Sequence, residues 1–559
     1  MNEEPLEEPL TEIKPDLNGQ TGFLPKEDLK RPVLSMLSLI AAGVVMMLIW
    51  WRVQENGWRW SLSVLVVAGL YLLNSRLQER KIPTSSWVLL GLTVLVGFIP
   101  ALRSDDYTML LSMPVTVVCL ALLTADFFSG QWWQYRIREY LKAAFQALAA
   151  FFVGFPLIAS MAVRSSANDP EQKNSGKRLA LGILKGILIA LPLLLIFTFL
   201  FAYADAVFES KIDSLFQWLK ADFLSQLVGR IFLALFFTWI LAAALWLLVT
   251  HSSNPIKIEP DEALLKPFLG MTETTIVLVS LNLLFAFFLV IQFQYFFAGE
   301  ANIAPGAYTY AQYADRGFRE LLMVAAIAGA VYYALASFTR RESKPIRLMF
   351  SILGGLLLLQ VGVVLVSAYQ RIIMYIDAYG LTSYRFIPQI FIFFLAAILL
   401  SLVLMELSNR FNRLALVLLS AALLFTLTLA MINEDRVIAR HNIERATQGE
   451  ELDYAFLVNS LSTDAEPYLF DVLGTGSLPQ VLEENLEKVL ACRAADFEAR
   501  YLPATMNWLD LNLSSMRAKN LYEESQDLLS KWRFKTITEG IKYHVIMIDG
   551  QQIFCSPVE

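Results

Sequence analysis

The sequence predicts an all-α polytopic membrane protein of 11 to 12 transmembrane helices. A mostly helical C-terminal extramembrane domain follows, ending in a short β-hairpin. Three observations carry this reading. Hydrophobic residues make up 56% of the 559 positions and charged residues 17%, outside the range of soluble domains. Apolar runs of about 17 to 25 residues recur from Pro32 to Ile432, the length that a bilayer core asks of a helix. Charge is also segregated: residues 1–31 carry −4, residues 432–559 carry −9, and the stretch between carries +7.

The elements follow in order. Residues 1–31 are acidic and proline-bearing, without the basic n-region of a signal peptide, and read as a disordered tail. Residues 32–432 form the transmembrane bundle, with spans expected near 33–51, 60–75, 86–102, 108–125, 179–203, 228–249, 275–297, 318–338, 348–368, 386–407 and 414–432. Segment 143–163 is uncharged and long enough to cross. Gly154 and Pro156 interrupt it, so a re-entrant or interfacial hairpin is the alternative. Tryptophans such as Trp50, Trp51, Trp132 and Trp133 stand at run ends, as in an interfacial belt.

Orientation turns on segment 143–163. If it crosses, loop Lys and Arg divide 15 to 15; if it does not, they divide 22 inside to 8 outside with a cytoplasmic N-terminus. The second case, eleven crossings with an extracytoplasmic C-terminus, is preferred, and it places the protein in a cell membrane as a multi-pass chain. Residues 433–531 read as a helical extramembrane domain, with helices at 434–447, 464–473, 479–492 and 507–530. Residues 532–559 are apolar and β-branched around Asp549-Gly550, a two-residue hairpin signal.

Chemistry-bearing motifs are few. Three histidines are scattered, so neither metal nor cofactor is expected, and no phosphate-binding loop, dinucleotide fingerprint or nucleophile elbow occurs. Nucleic acid is not an expected partner. Cys492 and Cys555 read as free thiols, with pairing open to them if the tail lies outside. The stretch YTYAQYADRGFREL, 308–321, opens an apolar helix with charged and aromatic residues. Helical spacing puts Tyr313, Arg316, Gly317 and Glu320 on one face, and Asp315 with Arg319 at i,i+4. Tyrosine anchoring and snorkelling arginine explain part of this pattern; a polar site explains the rest. In YQRIIMYIDAYGLTSYR, 369–385, the helix outruns its span to a Gly380 C-cap, carrying Arg371, Tyr375 and Asp377. These two stretches supply the candidate vestibule: Tyr313, Arg316, Glu320, Arg371, Tyr375 and Asp377. A third stretch, 203–226, mixes acids with aromatics and reads as interfacial. Lys185, Glu273 and Glu406 are the deeper charges, each needing a partner or a snorkelling route.

Taken together, 308–321, AYGLTSYR at 378–385, NEDRVIARHNIERA at 433–446 and LDYAFLVNSLSTDAEPYL at 452–469 resemble a bacterial multi-pass membrane family catalogued as a domain of unknown function. That resemblance implies a membrane bundle and transfers no activity, substrate or catalytic residue. Three functions stay open. The first is a non-enzymatic envelope protein, sensing, scaffolding or ligand-binding, with a protein partner through the C-terminal domain and the lipid bilayer around it. The second is a membrane-embedded transferase on lipid-linked material at the outer leaflet, with Asp377, Asp315 or Glu320 as base and Arg316 or Arg371 holding an anion. The third is a transporter, which should show repeated broken helices.

Overall fold

The computed structural model describes residues 31–51, 57–166, 222–253, 267–297 and 310–558, apart from 342, 409, 502–507 and 540, together with scattered positions between 190 and 211. Lys185 and most of the expected span 179–203 and of stretch 203–226 lie outside these residues.

Among the described residues, ten helical stretches are long and apolar enough to cross a membrane. The bundle helices are α1 (Pro32–Trp50), α2 (Gly57–Leu77), α3 (Thr84–Gly97) with the short α4 (Ile99–Leu102), α5 (Asp106–Asp126), α6 (Ile137–Ser166), α7 (Asp222–Ser253), α8 (Met271–Phe297), α9 (Tyr310–Phe338), α10 (Lys344–Tyr379), α11 (Ser383–Ser408) and α12 (Leu414–Ile432). Large apolar side chains such as Leu48, Leu110, Phe287 and Leu359 stand exposed on them, as a surface wetted by lipid requires.

Segment 143–163 is not a hairpin: α6 runs unbroken through Pro156 for 30 residues, about 45 Å at 1.5 Å per residue. Gly154 instead permits close packing, because a Cβ there would stand 2.7 Å from the Ala243 Cα of α7. Trp239 of α7 stacks on Phe155 at 5.2 Å and donates its indole N–H to the Phe151 carbonyl at 2.6 Å. The helix therefore gains partners for its polar atoms from a neighbour, without a loop in the apolar layer.

Two apolar cores divide the bundle. One joins α1, α2, α3, α5, α6 and α7; the other joins α8 to α11 and continues into the C-terminal domain through Ile438, Leu457, Leu469, Leu490 and Ile548. α12 contributes to both, with Leu414 in the second and Leu419 and Leu423 in the first. The domain is thus fused by apolar packing to the second half of the bundle.

That domain comprises α13 (Glu434–Thr447), α14 (Tyr454–Asn459), α15 (Glu466–Gly474), α16 (Gln480–Tyr501), α17 (Leu513–Glu524), α18 (Gln526–Leu529) and a three-stranded antiparallel sheet. The expected hairpin forms between β2 (Ile541–Ile548) and β3 (Gln551–Val558), with Asp549 and Gly550 both at positive φ, 49° and 74°. β1 (Lys535–Glu539) extends it by pairing with β2. Cys492 of α16 and Cys555 of β3 form a disulfide with a Cα–Cα distance of 4.9 Å, so these are not free thiols. Their 63-residue separation hid the pairing, which depends on the sheet folding back over α16. The free cysteine among the described residues is Cys119, buried in α5.

The deep charge Glu406 finds its partners at the other end of the bundle. Arg341 donates to its carboxylate at 2.9 and 3.0 Å, Tyr332 at 3.1 Å and Ser351 at 2.5 Å. Glu273 stands exposed in the first turn of α8. The start of α1 lies at that far end too, since Arg31 pairs with Glu79 just past α2 at 3.9 Å. Pro32 and the C-terminal domain therefore occupy opposite ends of the bundle.

Candidate functional site

The domain meets the first half of the bundle through polar groups. Arg59, in the first turn of α2, is 1% exposed and pairs with the fully buried Asp510 at 2.7 Å. Gly57 permits this approach: a Cβ there would meet the Leu511 carbonyl oxygen at 2.3 Å and the Asp510 backbone at 2.5 Å. Between α4 and α5, Arg103 donates to the Ala430 carbonyl at 2.6 and 2.8 Å and pairs with Asp464 at 3.5 Å. Asp464 also accepts the Ser104 and Asp105 backbone N–H groups, at 2.9 and 3.3 Å. Hydroxyls of Ser104 and Thr463 bond at 2.7 Å, and Asn512 donates to the Arg103 carbonyl at 2.9 Å.

A cleft of about 220 Å³ opens within this seam. The bundle supplies Ser104, Asp105 and Tyr107 to its wall; the domain supplies Glu434, Asp435 and Ser462. Local structure explains why acids collect here. Asp105 caps α5 by accepting the Thr108 N–H at 2.7 Å. Glu434 and Asp435 open α13 behind Asn433, whose left-handed φ of 56° turns the chain sharply out of α12. Acids suit a helix start, but burial outweighs that preference. Burial first, then Asp464 and Asp435 nearby, pushes the Asp105 carboxyl up to about 7 against the opposing Thr108 bonds. Burial likewise raises Asp435 to about 6, although it accepts the Ser462 N–H at 2.9 Å. Glu434 rises to about 8, from burial and then from Asp105 and Asp435, with the nearby Ser383 hydroxyl opposing. Glu434 is 2% exposed, and among the described residues only the Ser383 hydroxyl comes to its carboxyl group.

Arg493 and Glu466 line the cleft on the domain side and are densely hydrogen-bonded. Arg493 is buried, paired with Glu466 through two nitrogens at 2.8 to 3.0 Å. Its remaining N–H groups reach the carbonyls of Leu457, Val458, Leu461 and Ser462 at 2.7 to 3.1 Å. Glu466 also accepts the Tyr522 hydroxyl. Burial and the adjacent Glu466 hold the Tyr522 phenol well above its ordinary range.

A second recess of about 470 Å³ adjoins the first, sharing Tyr107, Ser383 and Ser460 with it. Tyr375, Phe318, Arg319 and Arg385 line it further. Arg385 lies 4.0 Å over the Tyr375 ring and donates to the Tyr379 and Gly380 carbonyls at 3.0 and 2.5 Å, closing the C-terminus of α10.

The six residues singled out in the sequence divide accordingly. Tyr375 lines the second recess. Arg371 is buried between helices, bonded to Gln292 at 2.9 Å, with its guanidinium against Gly317 of α9. Glu320 and Asp377 are exposed and lie in neither cavity. Tyr313 and Arg316 sit in the opening turns of α9, and their side chains fall outside the described residues. Asp105, Glu434, Asp435 and Arg493 escaped the sequence reading. Asn433-Glu434-Asp435 stood out as part of the resemblance, yet two acids at a helix start look like an ordinary dipole-compatible beginning. Only the fold shows that they are buried opposite Asp105.

No curated protein matches the chain, and no solved structure does. A family described as "Domain of unknown function (DUF4153)" matches residues 89–472, from within α3 to within α15. The match takes in Ser104, Asp105, Tyr107, Glu434, Asp435 and Ser462 of the cleft, and leaves out Gly57, Arg493 and Asp510. By that coverage the chain is a member of the DUF4153 family, an integral membrane protein with a helical extramembrane domain.

Proposed function

We propose that this protein is a membrane receptor that binds a small polar ligand between its bundle and its C-terminal domain, on the extracytoplasmic side. The observation that carries the reading is the cleft itself. Both units build its walls, and it contains a buried carboxyl group, Glu434, to which only the Ser383 hydroxyl comes among the described residues. The domain is fused to the second half of the bundle by apolar packing and meets the first half through polar contacts. A ligand in that seam bridges the two halves, which is the arrangement a sensor needs.

Two features support the side. A disulfide such as Cys492–Cys555 persists in oxidising compartments. The domain also lies at the opposite end of the bundle from Pro32, as an extracytoplasmic domain behind a cytoplasmic N-terminus requires. A C-terminal tag should therefore be reachable by antibody in intact cells whose outer barrier alone is opened; labelling only after lysis of the inner compartment would refute the assignment.

Ligand binding is tested on the full-length protein in mild detergent, with thermal unfolding read against amines, carboxylates, phosphates and zwitterions. Ser460 is exposed and lies between the two cavities, so Ser460→Trp should fill the entrance without disturbing a core. The reading expects one class to raise the midpoint in the native protein and not in Ser460→Trp. If no class raises it, or both proteins respond alike, the cleft is not a binding site.

A second reading, transferase chemistry, draws on the same acids rather than on Asp377 or Glu320. Carboxyls at about 7 and 8 would suit proton transfer near neutral pH. It predicts that Glu434→Gln abolishes cellular function while ligand affinity persists.

A further inference from the structure

We infer that the ligand is an organic cation, a small ammonium compound held in the cleft by Asp105, Glu434 and Asp435. This deepens the receptor reading and rests on it. The inference comes from a charge balance that the fold leaves open. The neighbouring acids have their cations: Asp510 pairs with Arg59 at 2.7 Å, Glu466 with Arg493 at 2.8 Å, Asp496 with Arg500 at 2.9 Å and Asp464 with Arg103 at 3.5 Å. The cations along the cleft are Arg493 and Arg500, and both are taken up in those pairs. Asp105, from the start of α5, shares the wall with Glu434 and Asp435, from the start of α13. Among the described residues no cation forms a salt bridge with any of the three. Arg493 eases Asp435 only from a distance, committed as it is to Glu466.

Glu434 supplies an independent sign that a donor enters this space. It lines the cleft at 2% exposure, and only the Ser383 hydroxyl comes to its carboxyl group. One hydroxyl has one proton to give, so at least one of the two carboxylate oxygens is buried without a donor. Buried polar atoms are normally paired, and a ligand N–H is the donor that a cleft admits. Asp105 and Asp435 each accept a backbone N–H, from Thr108 and Ser462, and keep lone pairs to spare. Burial and nearby acids already hold all three carboxyls up, so a bound cation gains by completing their ionisation. A metal ion is a poorer match, because among the described residues no three acids, histidines or cysteines are grouped so as to hold one. The 220 Å³ of the cleft is also room for on the order of seven waters, more than a bare ion fills. An ammonium carries three donors and reaches acceptors spread over such a space. It is attracted as well to aromatic rings of the kind that Tyr107 and Phe497 bring to the lining.

The test uses the full-length protein in detergent, with ethanolamine and putrescine as ammonium probes, and magnesium, acetate and inorganic phosphate as controls at matched ionic strength. An ammonium probe should raise the unfolding midpoint and bind at least about tenfold more tightly at pH 8 than at pH 6, because binding drives protons off the acids. Calorimetry in buffers of different ionisation enthalpy should show that proton release directly, and it needs no variant. Glu434→Gln should weaken binding by about tenfold and reduce the protons released. Two sources carry such a group, a free amine and the headgroup of an aminolipid. In nanodiscs of phosphatidylglycerol, a midpoint raised by added phosphatidylethanolamine identifies a headgroup, and one raised by ethanolamine identifies a free amine. Magnesium matching the ammonium probes, or ammonium binding without proton release, overturns the organic cation while leaving the receptor standing. A response to an anion alone, blocked by Ser460→Trp, does the same. No response to any probe removes both readings.

Discussion

At the residue scale, the acids of the seam set a pH dependence whose sign is opposite to that of most paired carboxylates. Asp435, Asp105 and Glu434 are raised to about 6, 7 and 8 from ordinary values of 3.8 and 4.5. The folded state therefore binds more protons than the unfolded chain across that window, so stability falls as pH rises. The three interact and titrate as a group. Docking of the domain should be firmest near pH 5 and weakest above pH 8, read as protease accessibility of the C-terminal domain. Glu434→Gln should remove the uppermost part of the dependence and stabilise the protein at pH 8.5. Arg493 makes a different prediction. Arg493→Met leaves Glu466 buried without its cation and strips donors from four carbonyls, and should cost about 3–5 kcal/mol in the domain's unfolding transition. A change below about 1 kcal/mol in a denaturant titration would mean that the pair is not structurally important.

Helix ends and close crossings decide the chemistry at the element scale. α10 is 36 residues long, about 54 Å, so it outruns an apolar layer of about 30 Å and carries Arg371 and Tyr375 to the domain end. Gly380, at φ 75°, then stops it and turns the chain into α11. The start of α2 is equally constrained. Gly57→Ala would press a methyl group into the backbone of residues 510 and 511 and separate Arg59 from Asp510. This substitution should cost about 1–3 kcal/mol, as overpacking does, and should open the seam to cysteine-directed labelling at Ser104→Cys. Labelling as slow as in the otherwise native protein would show that the seam tolerates the methyl group.

For the whole molecule, the distribution of apolar packing matters most. The domain is one body with the second half of the bundle, tied to the first half by ion pairs and hydroxyls. The sheet is fastened to α16 by Cys492–Cys555, which closes a loop of 63 residues. Cys555→Ser should lower the domain's stability by about 2–4 kcal/mol. Reductant should shift the native protein toward the variant's midpoint and leave the variant unmoved. An equal effect of reductant on both would place the sensitivity elsewhere.

Much of this architecture was legible in the sequence because a bilayer imposes length and polarity on each helix separately. Apolar runs announced the spans, Gly380 announced the end of α10, and Asp549-Gly550 announced the hairpin, each through a local rule. The candidate site was legible only in part. Tyr375 lines a cavity, whereas Glu320 and Asp377 face outward. Asp105 and Glu434 lie 329 positions apart, and each alone resembles a routine helix start. The Cys492–Cys555 pairing, the continuity of α6 past Pro156 and the partners of Glu406 likewise depended on neighbours remote in the chain. The sequence by itself determined the membrane class, ten of the spans in their order and the helical tail, since those follow from nearest-neighbour chemistry. Tertiary structure alone decided which charges are neutralised and which are left facing a cavity, because burial and pairing are properties of contacts between distant segments.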